Sequence, residues 1–414
     1  MRFSMPNYLK YLYSLFILFA VCVSNASAAY DPNLFSKVTA GVNHTCAVTL
    51  KGGVKCWGFN TYGQLGDNST KTRLVPTALP DLTSGIADVS AGSFHTCALT
   101  TGGAVLCWGA NYKGQLGEAP PVSPEMPPKG VRTKPGAVTS LTSGIKALAS
   151  GDSFNCVLTT AGAVKCWGRN NNGQLGNGTQ VDSFTPVQVT GLTSGITSIS
   201  LGSDHACAIT ASGAAKCWGT NINGVLGYNP PVSRAFEATP VSVINFASGT
   251  AALSAGYSFG CAVTNAGGVQ CWGYNNHGQK GTGAPIGTQS PFPVIIPGLA
   301  NIKAITTGGG HGCAINANNG VQCWGYNDEG QVGDNSKVDR FEVKQVVGLT
   351  SGITTLASGW KHTCAITDKS KLYCWGNNDN GQIGNNSRKY ISSLVPALIR
   401  DPANSAVINL LLLN

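Results

Sequence analysis

Around Cys46 apolar and polar positions alternate with a period of two. Cys46 and Val48 lie on one side of a short run, Lys51-Gly52-Gly53 interrupts it, and Val54 and Cys56 resume the same side. Alternation on both flanks of a glycine turn predicts a β-hairpin. A similar run precedes it at Phe35 to Ala40, with Ile86 to Ala91 as its counterpart further along, and an extended Leu74-Val75-Pro76 follows the turn Gly63-Gln64-Leu65-Gly66. The unit predicted is four consecutive antiparallel strands, A to D.

That unit recurs. The first cysteine falls at positions 46, 97, 156, 207, 261, 313 and 364, in steps of 51, 59, 51, 54, 52 and 51 residues. Each copy continues into Cys-Trp-Gly, beginning at Cys56, Cys107, Cys166, Cys217, Cys271, Cys323 and Cys374. A period near fifty is too long for leucine-rich or tetratricopeptide units and suits one blade of a β-propeller. Glycine stands five residues before the first cysteine in all seven copies, from Gly41 to Gly359. That predicts positive φ or close backbone approach. Asparagine follows the tryptophan by three in all seven, from Asn60 to Asn378, where it can hold left-handed geometry and bond its own backbone. With 54 glycines and only 11% charged residues, the composition favours an all-β chain over helices.

Gly-x-x-His, a short strand, then Trp-Gly-x-Asn-x-x-Gly-Gln-Leu-Gly resembles the regulator-of-chromosome-condensation repeat across all seven copies. The resemblance implies a seven-bladed β-propeller of four-stranded antiparallel blades. The cysteine pair in every blade departs from the intracellular pattern of that family.

Within each pair the cysteines are ten residues apart, opposite one another in the predicted hairpin, near disulfide reach. Seven intra-blade disulfides are expected: Cys46 to Cys56, Cys97 to Cys107, Cys156 to Cys166, Cys207 to Cys217, Cys261 to Cys271, Cys313 to Cys323 and Cys364 to Cys374. Buried free thiols are the alternative. Zinc on His44, Cys46 and Cys56 falls short of the four ligands of a structural site.

Residues 1–28 read as a signal peptide: Arg2 and Lys10, an apolar run from Tyr11 to Val23, then Ala26-Ser27-Ala28. A linker over 29–34 and a propeller over 35–414 complete the expected organisation. The run is short for a bilayer span and no second apolar stretch of about 18 residues follows, so no stable membrane anchor is expected. Cys22 lies within the leader, and Val21 before it is a poor fit to lipoprotein processing. Loss of Arg2 and Lys10 lowers the formal net charge of +9 by two, and no block of like charges suggests a nucleic-acid-binding arm. A secreted or periplasmic monomer is expected.

His44, His95, His205, His311 and His362 share one slot, filled by Phe154 and Phe259 in the other copies. A ring of imidazoles suggests an axial metal, but phenylalanine replaces histidine with no other apparent change, which favours packing and local hydrogen bonding. Gly256-Tyr257-Ser258-Phe259-Gly260 matches the serine-hydrolase elbow formally, yet falls on an A-to-B turn rather than a strand-to-helix turn. No catalytic residue, metal or cofactor is assigned.

Antiparallel strands place the A-to-B and C-to-D turns at one end of each blade. Their variable residues define the candidate partner-binding face: Phe94, Asp152, Asp204, Tyr257, Trp360 and Lys361 from the first turns, Tyr62, Tyr112, His277, Asp328, Glu329 and Asp379 from the second. Aromatics and charges on a rigid ring suit protein recognition. The longer connection from Glu118 to Pro135, with Lys129, Arg132 and Lys134, is either a binding loop or a tolerated insertion. The resemblance implies action through a propeller face, as in an exported bacterial relative that caps a β-lactamase. Guanine-nucleotide exchange on a small GTPase, as in the nuclear member, is a second reading. A polysaccharide-active enzyme is a third, disfavoured by the lack of an acidic pair at the axis. Phe35 to Ala40 and Leu394 to Leu398 are expected to meet where the last blade joins the first. The C-terminal strand joins either the first blade or its own. Val407 to Leu410 could imitate a further A strand.

Overall fold

The computed structural model describes residues 34–119, 130–229, 235–283, 287, 290–387 and 391–400. The expected leader, Cys22, the residues 120–129 of the long connection and Val407 to Leu410 lie outside them. Seven four-stranded antiparallel sheets, each built from consecutive strands, form the blades. In the first, strand A is Phe35–Ala40, B is His44–Thr49, C is Val54–Gly58 and D is Arg73–Ala78. Among the described residues one 3-10 turn, Ile222–Gly224, interrupts the pattern in blade 4. The second half of the long connection is itself structure, because Val131–Ala137 is the D strand of blade 2 and carries Arg132 and Lys134.

The hairpin register is the predicted one. Cys46 faces Cys56 and Val48 faces Val54, and the corresponding cysteines face each other in the other six blades. All seven pairs are disulfides with Cα atoms 4.0 to 4.1 Å apart. With the sulfurs bonded to each other, the zinc and free-thiol alternatives drop out.

Among the described residues no single central core exists. The buried apolar residues form seven clusters, one between each pair of adjacent blades. The disulfide face of one blade packs on the A strand and tryptophan of the next, as Cys97, Leu99, Val105 and Cys107 pack with Ile145, Leu148 and Trp167. The seventh cluster joins Cys364, Ile366 and Cys374 to Phe35, Val38 and Trp57 and closes the ring. The C-terminal strand, Ser393–Leu398, pairs with its own blade. It meets the N-terminal strand through this cluster, against which Ala397 packs, and not through a shared sheet. Leu34 also bridges to Lys371, and the Phe35 amide donates to the Ser370 carbonyl at 2.8 Å.

The fixed residues make the blades dock. None of the seven A-to-B glycines has positive φ. Instead, a Cβ at Gly41 would stand 2.6 Å from the Gly92 carbonyl of the next blade, and the same contact runs around the ring until Gly359 meets Gly41. Close approach is therefore the requirement. The fixed asparagines are likewise not left-handed. Asn60 Oδ1 accepts from the Leu65 amide at 2.9 Å, holding the C-to-D turn, and the other six do the same. The carbonyl at the second position of that turn then accepts the indole N–H of the next blade's tryptophan, at 2.8 to 3.1 Å in every case.

The histidine slot is a second inter-blade tie. His44 Nε2 lies 2.9 Å from Thr96 Oγ1, His362 Nε2 2.9 Å from Thr45 Oγ1, His311 Nε2 2.8 Å from Thr363 Oγ1, and His95 Nε2 2.8 Å from Asn155 Oδ1. The three threonine hydroxyls donate onward to the same carbonyls that accept the indoles. The imidazoles therefore donate from Nε2. Phenylalanine does not replace histidine without other change: Phe154 is followed in the next blade by Ala206, and Phe259 by Gly312. The partner loses its polar group together with the imidazole. His205 breaks the rule, since Gly260 occupies the partner position and neither ring nitrogen has a hydrogen bond. Burial holds His44 and His311 near pKa 3 and His205 and His362 near 4, with neighbouring histidines adding to the effect at His44 and His311.

A third set of ties uses A-strand hydroxyls, which accept from a main-chain amide of the next A strand. Thr39, Ser90, Ser200, Ser254 and Thr306 do so at 2.9 to 3.1 Å. Ala149 and Ala357 occupy this position in blades 3 and 7.

Candidate interaction face

The A-to-B and C-to-D turns meet at one end of the ring. The residue after each Trp-Gly donates its amide to an A-to-B turn carbonyl, as Phe59 does to Asn43 at 2.9 Å and Tyr326 to Gly310 at 2.8 Å. The disulfide-linked hairpin and the asparagine-held turn thus fix the backbone, while the side chains between fixed positions vary.

Tyr62, Phe94 and Tyr112 come together over blades 1 and 2. Tyr62 and Phe94 have ring centroids 4.9 Å apart, and Tyr62 meets Tyr112 at 6.0 Å. Phe59 completes the patch, 6.1 Å from Tyr62 and 6.4 Å from Phe94. Burial, with Tyr62 adding to it, pushes the Tyr112 phenol up.

A second group lies over blades 3 to 7. Tyr257 meets Trp360 edge-on at 4.2 Å, and His277 meets Tyr326 at 4.3 Å. Lys361 Nζ is 5.0 Å from the Tyr326 ring centre and 2.5 Å from Asp328, which also accepts from the Tyr326 hydroxyl at 2.6 Å. Burial acts upward on Asp328, but the bonds from Lys361 and Tyr326 outweigh it and hold the carboxyl below its usual range. Asp204 accepts from Gln174 at 3.1 Å and lies 3.4 Å from Arg169, which also reaches Asp152 at 3.9 Å. Burial pushes Asp204 up despite that cation.

Two concavities open here. One, about 300 Å³, is the axial mouth lined by all seven A-to-B turns. The other, about 520 Å³, lies off the axis and takes in Asp204, Tyr257, His277, Trp360 and Lys361. Glu329 and Asp379 line neither. Glu329 is tied to Lys337 and Ser392, and Asp379 to Asn377.

Sequence reasoning passed over the variable position between the fixed glycine and asparagine. It holds Phe59, Arg169, Tyr274 and Tyr326, all part of the two groups or their rim. The signal was there: one freely varying residue inside an invariant Trp-Gly-x-Asn frame. Gly256 to Gly260 is an A-to-B turn between strands Thr250–Ala255 and Phe259–Thr264. Among the described residues no group of three or more His, Cys, Asp or Glu could hold a metal ion, and no helix is long and apolar enough to cross a membrane.

Residues 129–410 match the RCC1-like domain model, and regulator of chromosome condensation (RCC1) repeats match at 35–64, 86–115 and 51–99. The ultraviolet-B receptor UVR8 of Arabidopsis thaliana is 30% identical over 353 residues, covering 84% of this chain and 78% of the receptor. The mouse E3 ubiquitin-protein ligase HERC2 is 28% identical over 359 residues, 85% of this chain but 7% of the ligase. Prp20p of Saccharomyces cerevisiae, in a structure described with its binding properties to Gsp1p and histones, superposes with a TM-score of 0.74 at 21% identity over 92% of this chain and 90% of Prp20p, a likeness of fold. With the repeat in all seven blades and the domain model over most of its length, the chain belongs to the RCC1-like, regulator-of-chromosome-condensation repeat family.

Proposed function

We propose that the protein is an exported binding module that captures a partner protein on the face of the A-to-B and C-to-D turns, and that it acts by binding and not by catalysis. The carrying observation is the patch of Phe59, Tyr62, Phe94 and Tyr112, four rings joined through Tyr62 on a disulfide-closed frame. Tyr112 is 46% exposed. Clustered aromatics on a backbone that needs no ordering are what an interface hot spot requires. Prp20p, which shares the propeller fold, binds Gsp1p and histones. Seven disulfides favour an oxidising compartment, secreted or periplasmic, consistent with residues 1–28 as a cleaved leader and 29–34 as a linker before the propeller. Guanine-nucleotide exchange and polysaccharide cleavage gain no specific support from this face.

The test is affinity capture from the native medium with wild-type protein and a Tyr62→Ala/Phe94→Ala variant, both verified as folded by near-ultraviolet circular dichroism. One partner retained by the wild type and lost by the variant supports the reading. A partner held equally by both places recognition elsewhere.

A further inference from the structure

The off-axis cavity differs in chemistry from the aromatic patch. Its volume, about 520 Å³, lies in the range of small-molecule sites, roughly 300 to 1,000 Å³. Rings line it from several blades: Tyr257, Tyr274, Tyr326 and Trp360. The lining also includes the amides Asn172 and Asn223, able to donate and to accept, and Gln279, whose Oε1 already accepts from the His277 amide at 2.9 Å.

The charged and hydrogen-bonded side chains within it decide the class of ligand. Lys361 is bound to Asp328, Asp204 to Arg169 and Gln174, and His277 to Asp339 at 2.7 Å. A charged ligand would compete with pairs already made and gain little. A neutral molecule with apolar C–H faces and many hydroxyls would keep those pairs, stack on the rings and bond the amides. The edge-on contact of Tyr257 with Trp360 fixes the aromatic wall before a ligand arrives, which spares ordering cost.

We propose that this cavity binds a neutral saccharide of about one or two sugar rings. The proposal goes beyond protein capture by the blade 1 and 2 patch and stands independently of it, because the two sites share no aromatic residue.

The chain supplies its own probe. Of eight tryptophans, seven are fully buried between blades, and Trp360 alone lines the cavity. The experiment titrates the purified protein with cellobiose, maltose, N,N′-diacetylchitobiose and a uronic-acid disaccharide, reading tryptophan fluorescence and calorimetric heat. The expected result is saturable binding of at least one neutral sugar, insensitive to salt, with Trp360 shielded from acrylamide. Tyr274→Ala/Tyr326→Ala should weaken it by about tenfold or more, the factor given by ~1.4 kcal/mol of lost stacking. Tyr62→Ala should leave it unchanged, whatever it does to protein capture. Should the double variant fail to fold, Thr220→Trp at the cavity wall should block binding in its place. No heat with any neutral sugar at millimolar concentration overturns the proposal. So does salt-sensitive preference for the uronic-acid sugar, or neutral binding that survives both cavity variants.

Discussion

The indole Nε1 of Trp57 donates to the main-chain carbonyl of Gln382, 2.9 Å away and 325 residues further along the chain. The same bond joins every other neighbouring pair of blades, so the seam between the chain's two ends is latched like an internal interface. A single buried hydrogen bond contributes about 1 kcal/mol. Trp57→Phe and Trp108→Phe, whose acceptor carbonyls each keep a threonine hydroxyl as second donor, should therefore lower stability in urea by similar amounts, each about that size or more. A silent Trp57→Phe beside a costly Trp108→Phe would mean that the ring does not close at this seam.

His205 is the exception among the five slot histidines, with Gly260 opposite and both nitrogens unbonded. His205→Phe recreates the pairing of Phe259 with Gly312 and should stabilise the protein by about 1 kcal/mol, the cost of an unsatisfied buried polar group. His95→Phe should do the reverse, since Asn155 loses its donor. Equal effects at the two positions would show that the partner in the next blade does not matter.

Stability should fall in acid. The buried histidines stay neutral in the fold down to about pH 3 or 4, whereas in the unfolded chain they take up protons below about pH 6.5. The unfolded state thus binds more protons in that window, and stability falls as pH drops from about 6.5 toward 4, by up to about 1.4 kcal/mol per pH unit for each histidine. His205→Phe should shallow the slope measured by urea unfolding at a series of pH values. An identical slope would remove His205 from the set.

The two kinds of glycine should separate. Gly92→Ala sets a Cβ 2.5 Å from the Gly151 carbonyl and hard against the His95 ring, and Gly102→Ala meets nothing closer than 3.8 Å. The first should cost about 1 to 3 kcal/mol, as overpacking does. The second should be neutral within about 0.5 kcal/mol. Thermal melts of both variants decide the matter.

Thiol titration in denaturant without reductant should find none in the chain from residue 29 onward, because its fourteen cysteines are paired. Opening one pair by Cys46→Ala/Cys56→Ala should cost about 3 kcal/mol, the loop-closure value for so short a span. Free thiols in the untreated protein would contradict the pairing.

Strands, blade number and disulfides were legible because each is local. Alternation sets a strand, Gly52 and Gly53 set the turn, and ten residues from Cys46 to Cys56 set the opposition. What the sequence did not yield depends on contacts between blades. Gly41 is required by the Gly92 carbonyl of its neighbour, and His95 by Asn155, which no reading of one repeat shows. The pairing of histidine with a polar neighbour, and of phenylalanine with Ala206 or Gly312, becomes visible only when each repeat is compared with the one after it. The gathering of the A-to-B and C-to-D turns at one end was legible because it follows from strand direction. Phe59 and Tyr326 escaped because they vary from blade to blade, beside the invariant Asn60 and Asn327.

The joint between blades 3 and 4 has Phe154 where the imidazole tie would be and Ala149 where the hydroxyl tie would be. It keeps the indole latch of Trp218 to Gln174, its apolar cluster and, at the rim, the pair of Arg169 with Asp204. With both of those buried side-chain ties missing, this joint leans on its solvent-facing rim, where Asp204 also accepts from Gln174 and the Asp152 amide donates to the Ser203 carbonyl at 3.0 Å. Salt, which screens the pair of Arg169 with Asp204, should therefore loosen this joint. The chain thus carries, far from its own two ends, a joint whose grip depends on the solution outside it.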